Sequence, residues 1–283
     1  MLSYRHAFHA GNFADVLKHL VLVNTLQYAT AKAAPLFYLD THAGAGYYRL
    51  NSPEAEKTGE AMAGIRRLDF PALINALPAD SAPLLQRYGE LLTPHLEQDR
   101  YPGSPLLAAA VLRRNDHLHL CELHPQDFNW LEGSCKDDRR IRTEQADGYQ
   151  RALTLLPPAQ KRAVVLIDPS YEVKEDYQRT VRLMNALYQR MPSVQILLWY
   201  PVVYRQDITR MIASMRHGPM KDVWQIELGL GPDTEERGMT ASGMILVNPP
   251  WSLPDQLRSC LPLIQQALAP EHGHWDVENL IHE

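Results

Sequence analysis

The chain has few cysteines, no long apolar run and no excess of basic residues, and each absence removes a class of protein. Cys121, Cys135 and Cys260 are odd in number and far apart, so they make no disulfide framework and no Cys-x-x-Cys metal site. Charged residues and prolines recur throughout, and no apolar stretch approaches the ~18 residues that span a bilayer. The N-terminal residues do not read as a secretory signal, because His9, Asp15, Lys18 and His19 interrupt any apolar core. Lys and Arg number 28 against 33 Asp and Glu, a net charge of −5, which argues against a surface that coats nucleic acid broadly. Residues 271–283 hold four acids and no Lys or Arg; the remainder sets 28 cations against 29 acids. Nucleic acid can therefore be drawn only to a local basic patch. Internal repeats and low-complexity tracts are absent. A soluble, cytoplasmic protein is expected, with no membrane segment and no metal. Its 283 residues, 45% of them apolar, suffice for one large domain with its own core.

Short apolar runs occur at 36–40, 117–122, 163–168, 194–200, 222–230 and 243–248, with a weaker one at 140–144. Continuous apolar runs suit strands buried on both faces of a parallel sheet. Helical patterns such as 174–189 and 204–216 lie between them, so a doubly wound α/β fold is expected. The last two runs are joined by Gly231-Pro232-Asp233 and other polar residues without a helix, which predicts an antiparallel pair closing one edge of the sheet. The acidic tail is expected to pack loosely at its end.

Two segments depart from the alternation. Residues 1–32 precede the first strand and contain one helix, capped by Asn12. Phe13, Val16, Leu17, Leu20 and Asn24 share one face, while Asp15, Lys18 and His19 share another. Between the first two strands the chain is too long for one crossover helix, so a small helical subdomain is expected at 52–103. Residues 51–105 carry five basic residues against eight acidic ones, a poor composition for an RNA clamp.

The residues that carry chemistry gather at strand ends. Leu39-Asp40-Thr41-His42-Ala43-Gly44-Ala45-Gly46 follows the first strand, and its small residues let the backbone approach a ligand closely. It is neither Gly-x-Gly-x-x-Gly nor a P-loop, and a ligand-free turn explains it equally well. Glu122 ends the second strand, where a carboxylate can accept from both hydroxyls of a ribose; alone, it would be a helix N-terminal charge. Asp147-Gly148 follows the third strand, placed to meet an adenine ring, although by itself the pair reads as a turn. Asp168-Pro169-Ser170-Tyr171 closes the fourth strand. The lone pair of an exocyclic adenine amine is delocalised into its ring. A carboxylate and a proline carbonyl aimed at its N–H groups draw that nitrogen toward tetrahedral geometry, and the aromatic gives an extruded base a face to stack on.

This layout resembles that of S-adenosylmethionine-dependent amino-methyltransferases, whose fourth strand ends in Asp-Pro-Pro-Tyr. The string from Ser3 to His19 (SYRHAFHAGNFADVLKH) more narrowly resembles the opening of the RlmJ family of bacterial 23S ribosomal RNA adenine-N6 methyltransferases. So do residues 39–46, Tyr101-Pro102-Gly103-Ser104-Pro105 and residues 167–172. The resemblance runs from residue 2 to beyond 250. It implies a Rossmann-like class I methyltransferase sheet using S-adenosyl-L-methionine, with 23S ribosomal RNA, free of or only partly covered by ribosomal proteins, as partner. It implies cofactor contacts at His19, His42, Ser104, Glu122, Asp147 and Gly148, and a catalytic set of Asp168 with Pro169 and Tyr171. Tyr4 falls at the position that contacts RNA, with His6 and Lys18 in the same segment. Ser170 departs from the family pattern, standing where Pro is usual.

Asn248-Pro249-Pro250-Trp251 fits the general amino-methyltransferase motif better than residues 168–171 do. If its strand is antiparallel, however, it lies about a strand length from the cofactor loops, ~17–20 Å, and is a structural turn. His117, His119, His272 and His274 form no ligand cluster and read as ordinary strand and tail residues. Two other functions share most of these features: a DNA adenine-N6 methyltransferase, which flips the same base, and a non-catalytic RNA-binding protein that retains the fold.

Overall fold

The structure is a computed structural model that describes residues 4–234 and 238–282. Its first long helix, α1 (Phe13–Thr30), starts at Asn12, whose side chain accepts a hydrogen bond from the Asp15 backbone N–H at 2.9 Å. Val16, Leu17 and Leu20 are fully buried, but so are Asp15, Lys18 and His19 on the polar side. A surface pairing of Asp15 with His19 is therefore ruled out. The polar side of α1 faces the ends of the central strands instead of water.

The strands are β1 (Phe37–Asp40), β2 (Tyr47–Arg49), β3 (Arg100–Pro102), β4 (His117–Cys121), β5 (Ile141–Glu144), β6 (Ala163–Ile167), β7 (Gln195–Val202), β8 (Val223–Gly229), β9 (Ala241–Val247) and β10 (His274–Ile281). Eight of them form one sheet in the order β10-β8-β9-β7-β6-β1-β4-β5. The run from β5 to β7 is parallel, whereas β9 is antiparallel to both β7 and β8. Every residue of β1 and β6 is buried, as continuous apolar runs require. One apolar cluster packs α1 and the helix Leu253–Leu268 on one face of the sheet. A second packs Glu175–Arg190 and Arg205–Arg216 on the other. The doubly wound α/β architecture is the one expected.

The expectation for the tail changes. The pair β8–β9 is antiparallel as expected and that edge of the sheet is antiparallel, but the outermost strand is β10, which pairs antiparallel with β8. The tail is thus an edge strand and not a loosely packed end. It buries Val277 and Leu280, while its other side chains are exposed or only partly covered, which suits a strand with one solvated side. Residues 50–99 run mainly through helices, including Pro53–Thr58, Phe70–Ala76 and Ala82–Leu96. The ends of this segment are pinned by β2 and β3, which pair antiparallel from Tyr47↔Pro102 to Arg49↔Arg100. Its Ile65, Phe70 and Tyr88 join the same apolar cluster as α1.

Register sets what meets at each end of the sheet. Asp40 pairs with Leu120 and with Leu166, so the turns after β1, β4 and β6 emerge together. Val247 pairs with Ile196 near the start of β7, which puts Asn248 at the opposite end. There its Nδ2 donates to the carbonyls of Pro192 and Val194, both at 2.8 Å. Residues 248–251 are a structural turn away from the cofactor loops.

Candidate active site

The turns at the carboxyl ends of β1, β4, β5 and β6 and the polar side of α1 enclose a cavity of about 540 Å³. This is where open α/β sheets bind ligands, and the volume suits a nucleoside-sized molecule. Tyr4, His6, Lys18, His19, His42, Ser104, Glu122, Asp147, Gly148, Asp168, Pro169 and Tyr171 all line it. Eight Asp and Glu side chains line it against three Lys and Arg, so it favours a cationic guest.

The first-strand turn is held from below by Asp40. This carboxylate accepts from Ser104 Oγ at 2.7 Å and Tyr38 Oη at 3.0 Å, anchoring the helix Ser104–Val111 to β1. Burial pushes Asp40 up to about 6 despite these bonds. Gly44 donates its N–H to Glu122 Oε2 at 2.8 Å, and His124 N–H donates to Oε1 at 2.7 Å. Glu122 thus fixes the turn while facing the cavity, and burial raises it above the usual carboxylate range. Asp147 caps the helix Gly148–Leu155 through the N–H groups of Tyr149 and Gln150 and pairs with Arg179. A Cβ on Gly148 would fall 1.9 Å from the Thr41 carbonyl, so this close approach to the first turn requires glycine. His42 hydrogen-bonds Thr41 Oγ1 at 2.8 Å and meets the Tyr149 ring edge-on at 4.9 Å; burial lowers it to about 4.

The other half of the site is a buried ionic cluster. Lys18 Nζ donates to Asp168 Oδ2 at 2.7 Å and lies 2.9 Å from Asp15 Oδ1. Burial opposes its charge, but the two carboxylates prevail and hold it above the ordinary lysine value. Lys18, which lies in the segment expected to meet RNA, has a side chain only 5% exposed, and its ammonium is engaged by both carboxylates. Asp15 also accepts from the Gly11 N–H at 2.8 Å and lies 3.0 Å from His6 Nε2. Burial opposes its ionisation, but His6, Lys18 and His19 together hold it well below the usual range. His6 Nδ1 contacts Tyr4 Oη at 2.9 Å, and the Tyr4 ring stacks on His9 at 5.5 Å. The segment from Tyr4 onward is thereby folded across the cavity; residues 1–3 lie outside the described residues. His19 is bound to Tyr101 Oη at 2.7 Å, and burial lowers it to about 3.

At the fourth-strand turn Lys18 occupies Oδ2 of Asp168, and Asp168 lines the cavity. Tyr171 takes a left-handed conformation (φ 53°), which is strained for a non-glycine residue. Its hydroxyl donates to the Trp199 carbonyl at 2.7 Å and its ring leans on Tyr177 at 4.5 Å, which holds that conformation. Sequence reasoning left Asp15 and Asp40 off the candidate set, although Asp15 stands three and four residues before Lys18 and His19. Among the described residues no group of three or more His, Cys, Asp or Glu is arranged to hold a metal ion.

The donor set fits S-adenosylmethionine, which carries a sulfonium and an ammonium: an acid-rich cavity, the Glu122 carboxylate bonded to the first-strand turn, and glycine where the backbone must come close. The model of the family described as ribosomal RNA large subunit methyltransferase D, RlmJ, matches residues 33–281. The chain is 46% identical to ribosomal RNA large subunit methyltransferase J of Escherichia coli, covering all of both chains. It is 44% identical to the protein of the same name from Haemophilus influenzae, covering 98% of each. Protein LPL1258 of Legionella pneumophila superposes with a TM-score of 0.86 at 34% identity, over 96% of this chain and 98% of that one. The chain belongs to the RlmJ family of S-adenosylmethionine-dependent ribosomal RNA methyltransferases.

Proposed function

We propose that this protein methylates the N6 amine of an adenine in 23S ribosomal RNA, acting on RNA free of or only partly covered by ribosomal proteins. The observation that carries the reading is the Asp168 turn beside an acid-rich, nucleoside-sized cavity. S-adenosylmethionine supplies a methyl group activated by its sulfonium, which leaves as a neutral thioether and needs no acid. The protein's contribution is then positioning and electrostatics. Glu122 presents a carboxylate to the ribose, Asp147 and Gly148 border the adenine, and His19, His42 and Ser104 line the remainder. Asp168 Oδ1 and the Pro169 carbonyl accept from the target amine, while Lys18 holds Oδ2 and fixes the carboxylate plane. Tyr171 offers a ring to the flipped base, and Tyr4 and His6 cover it from the N-terminal side. Ser170 replaces a residue whose side chain supplies no chemistry, so activity survives it.

The test is methyl transfer to deproteinised 23S RNA and to duplex DNA, with the product nucleoside identified by mass spectrometry. N6-methyladenine in the RNA alone is expected, and Asp168→Ala should abolish it while cofactor affinity stays within a few-fold. Product in DNA alone, or near-normal turnover by Asp168→Ala, would overturn the assignment.

A further inference from the structure

The end of the sheet opposite the cavity has the reverse charge. Four loops enter the neighbouring strands β6, β1, β4 and β5 there. With the first residues of β4 and β5 they comprise residues 156–162, 31–36, 112–117 and 136–142. Together they hold nine Lys and Arg against three Asp, in a chain whose net charge is −5. Two of the three acids are already used, Asp116 by Arg113 and Asp138 by Arg140. Arg114, Arg139 and Arg142 are exposed, and none of their guanidinium groups makes a hydrogen bond or ion pair with another described residue. They border two adjoining hollows of about 400 and 350 Å³, which share His117, Arg139 and Arg140.

We infer that this basic face is a second docking surface for the phosphate backbone of the RNA substrate. The inference rests on the reading of that substrate as ribosomal RNA. A polyanion gains little from a cavity with eight carboxylates and three cations, so the attraction must act elsewhere. Unpaired arginines on an open, grooved surface suit phosphate oxygens, which they engage through planar, forked donors. The two ends of the sheet are separated by the length of β1 or β4, ~13–17 Å. Because β5 is the outer strand on that side, RNA can pass from one end to the other around an exposed edge. A folded RNA of ribosomal size reaches both ends; a minimal fragment held in the cavity does not.

The test combines Arg114→Ala, Arg139→Ala and Arg142→Ala in the full chain. Affinity for deproteinised full-length 23S RNA is measured between roughly 50 and 200 mM salt. Turnover is measured on that RNA and on the shortest fragment the wild type methylates. Full-length affinity should fall roughly ten- to a hundred-fold at low salt, and the slope of log K against log salt should shrink by about two to three. Turnover on the fragment and cofactor affinity should be unchanged. Wild-type affinity and slope in the triple variant would overturn the inference, as would an equal loss on the fragment. A loss seen only with RNA carrying ribosomal proteins would assign the face to a protein and also overturn it. If the wild type methylates neither RNA, the functional reading itself fails, an outcome distinct from all of these.

Discussion

Lys18 lies between Asp168 and Asp15, at 2.7 and 2.9 Å, with 5% of its side chain exposed. A cation so placed is worth more to its partners than to a passing phosphate, because its removal takes the cation from Asp168 and leaves Asp15 only His6, His19 and the Gly11 N–H. Lys18→Met should therefore cost ~3–5 kcal/mol of stability, seen as a fall in Tm, and leave the salt dependence of RNA binding unchanged. A shallower salt slope with normal stability would instead make Lys18 a phosphate contact. Asp40 gives a pH signature. Its folded value of about 6 lies above the ordinary carboxylate value near ~4, so between the two the folded state binds the extra proton. Stability is thus favoured at low pH and declines by ~2–3 kcal/mol as pH rises through that window. Asp40→Asn should flatten that decline, read as the difference in Tm from wild type across pH 4 to 6.5; a parallel pair of curves would refute the assignment. Glu122 and Asp168 were legible in the sequence because each ends an apolar run. The roles of Asp15 and Asp40 arise from burial and from distant contacts: Ser104, 64 residues from Asp40, bonds it, and Lys18, which pairs with Asp15, reaches Asp168 150 residues away.

At the level of elements, apolar runs located the main strands to within a residue or two, since a strand buried on both faces must be continuously apolar. Periodicity did the same for α1 and the helices Glu175–Arg190 and Arg205–Arg216. It could not show that the polar side of α1 is also buried, because polar residues covering a site and polar residues facing water have the same spacing. The three-residue strands β2 and β3 carry too few side chains to set a pattern. β10 was obscured by its charge: a strand paired on one side needs few apolar anchors, and it buries two. Deleting residues 271–283 should leave the outer N–H and C=O groups of β8 unpaired and expose an apolar edge. Aggregation in light scattering and a lowered Tm are expected. A monodisperse truncated protein of wild-type Tm would mean that β10 is dispensable.

For the whole molecule, the direction of one strand decides which of two similar motifs is chemical. Asn248-Pro249-Pro250-Trp251 matches the general methyltransferase pattern more closely than Asp168-Pro169-Ser170-Tyr171 does. Motif similarity alone ranks them the wrong way; the absence of a helix between the last two apolar runs reverses that ranking, since it predicts an antiparallel return. Register puts Asn248 about four residues back along β7 from the level of Asp168, ~13 Å in the strand direction. Its side chain is spent on the carbonyls of Pro192 and Val194, and its backbone is left-handed (φ 52°). The two motifs should therefore separate cleanly under mutation. Asn248→Ala loses two structural hydrogen bonds and places alanine in a conformation asparagine tolerates better, a cost of ~1–3 kcal/mol in stability. Methyl transfer per folded molecule should be unaltered. Asp168→Ala should do the opposite for turnover, abolishing it. Measuring Tm and single-turnover rate on both variants checks the polarity of the whole sheet. A slow, fully stable Asn248→Ala protein would place the second motif in the chemistry and reverse the assignment of the site.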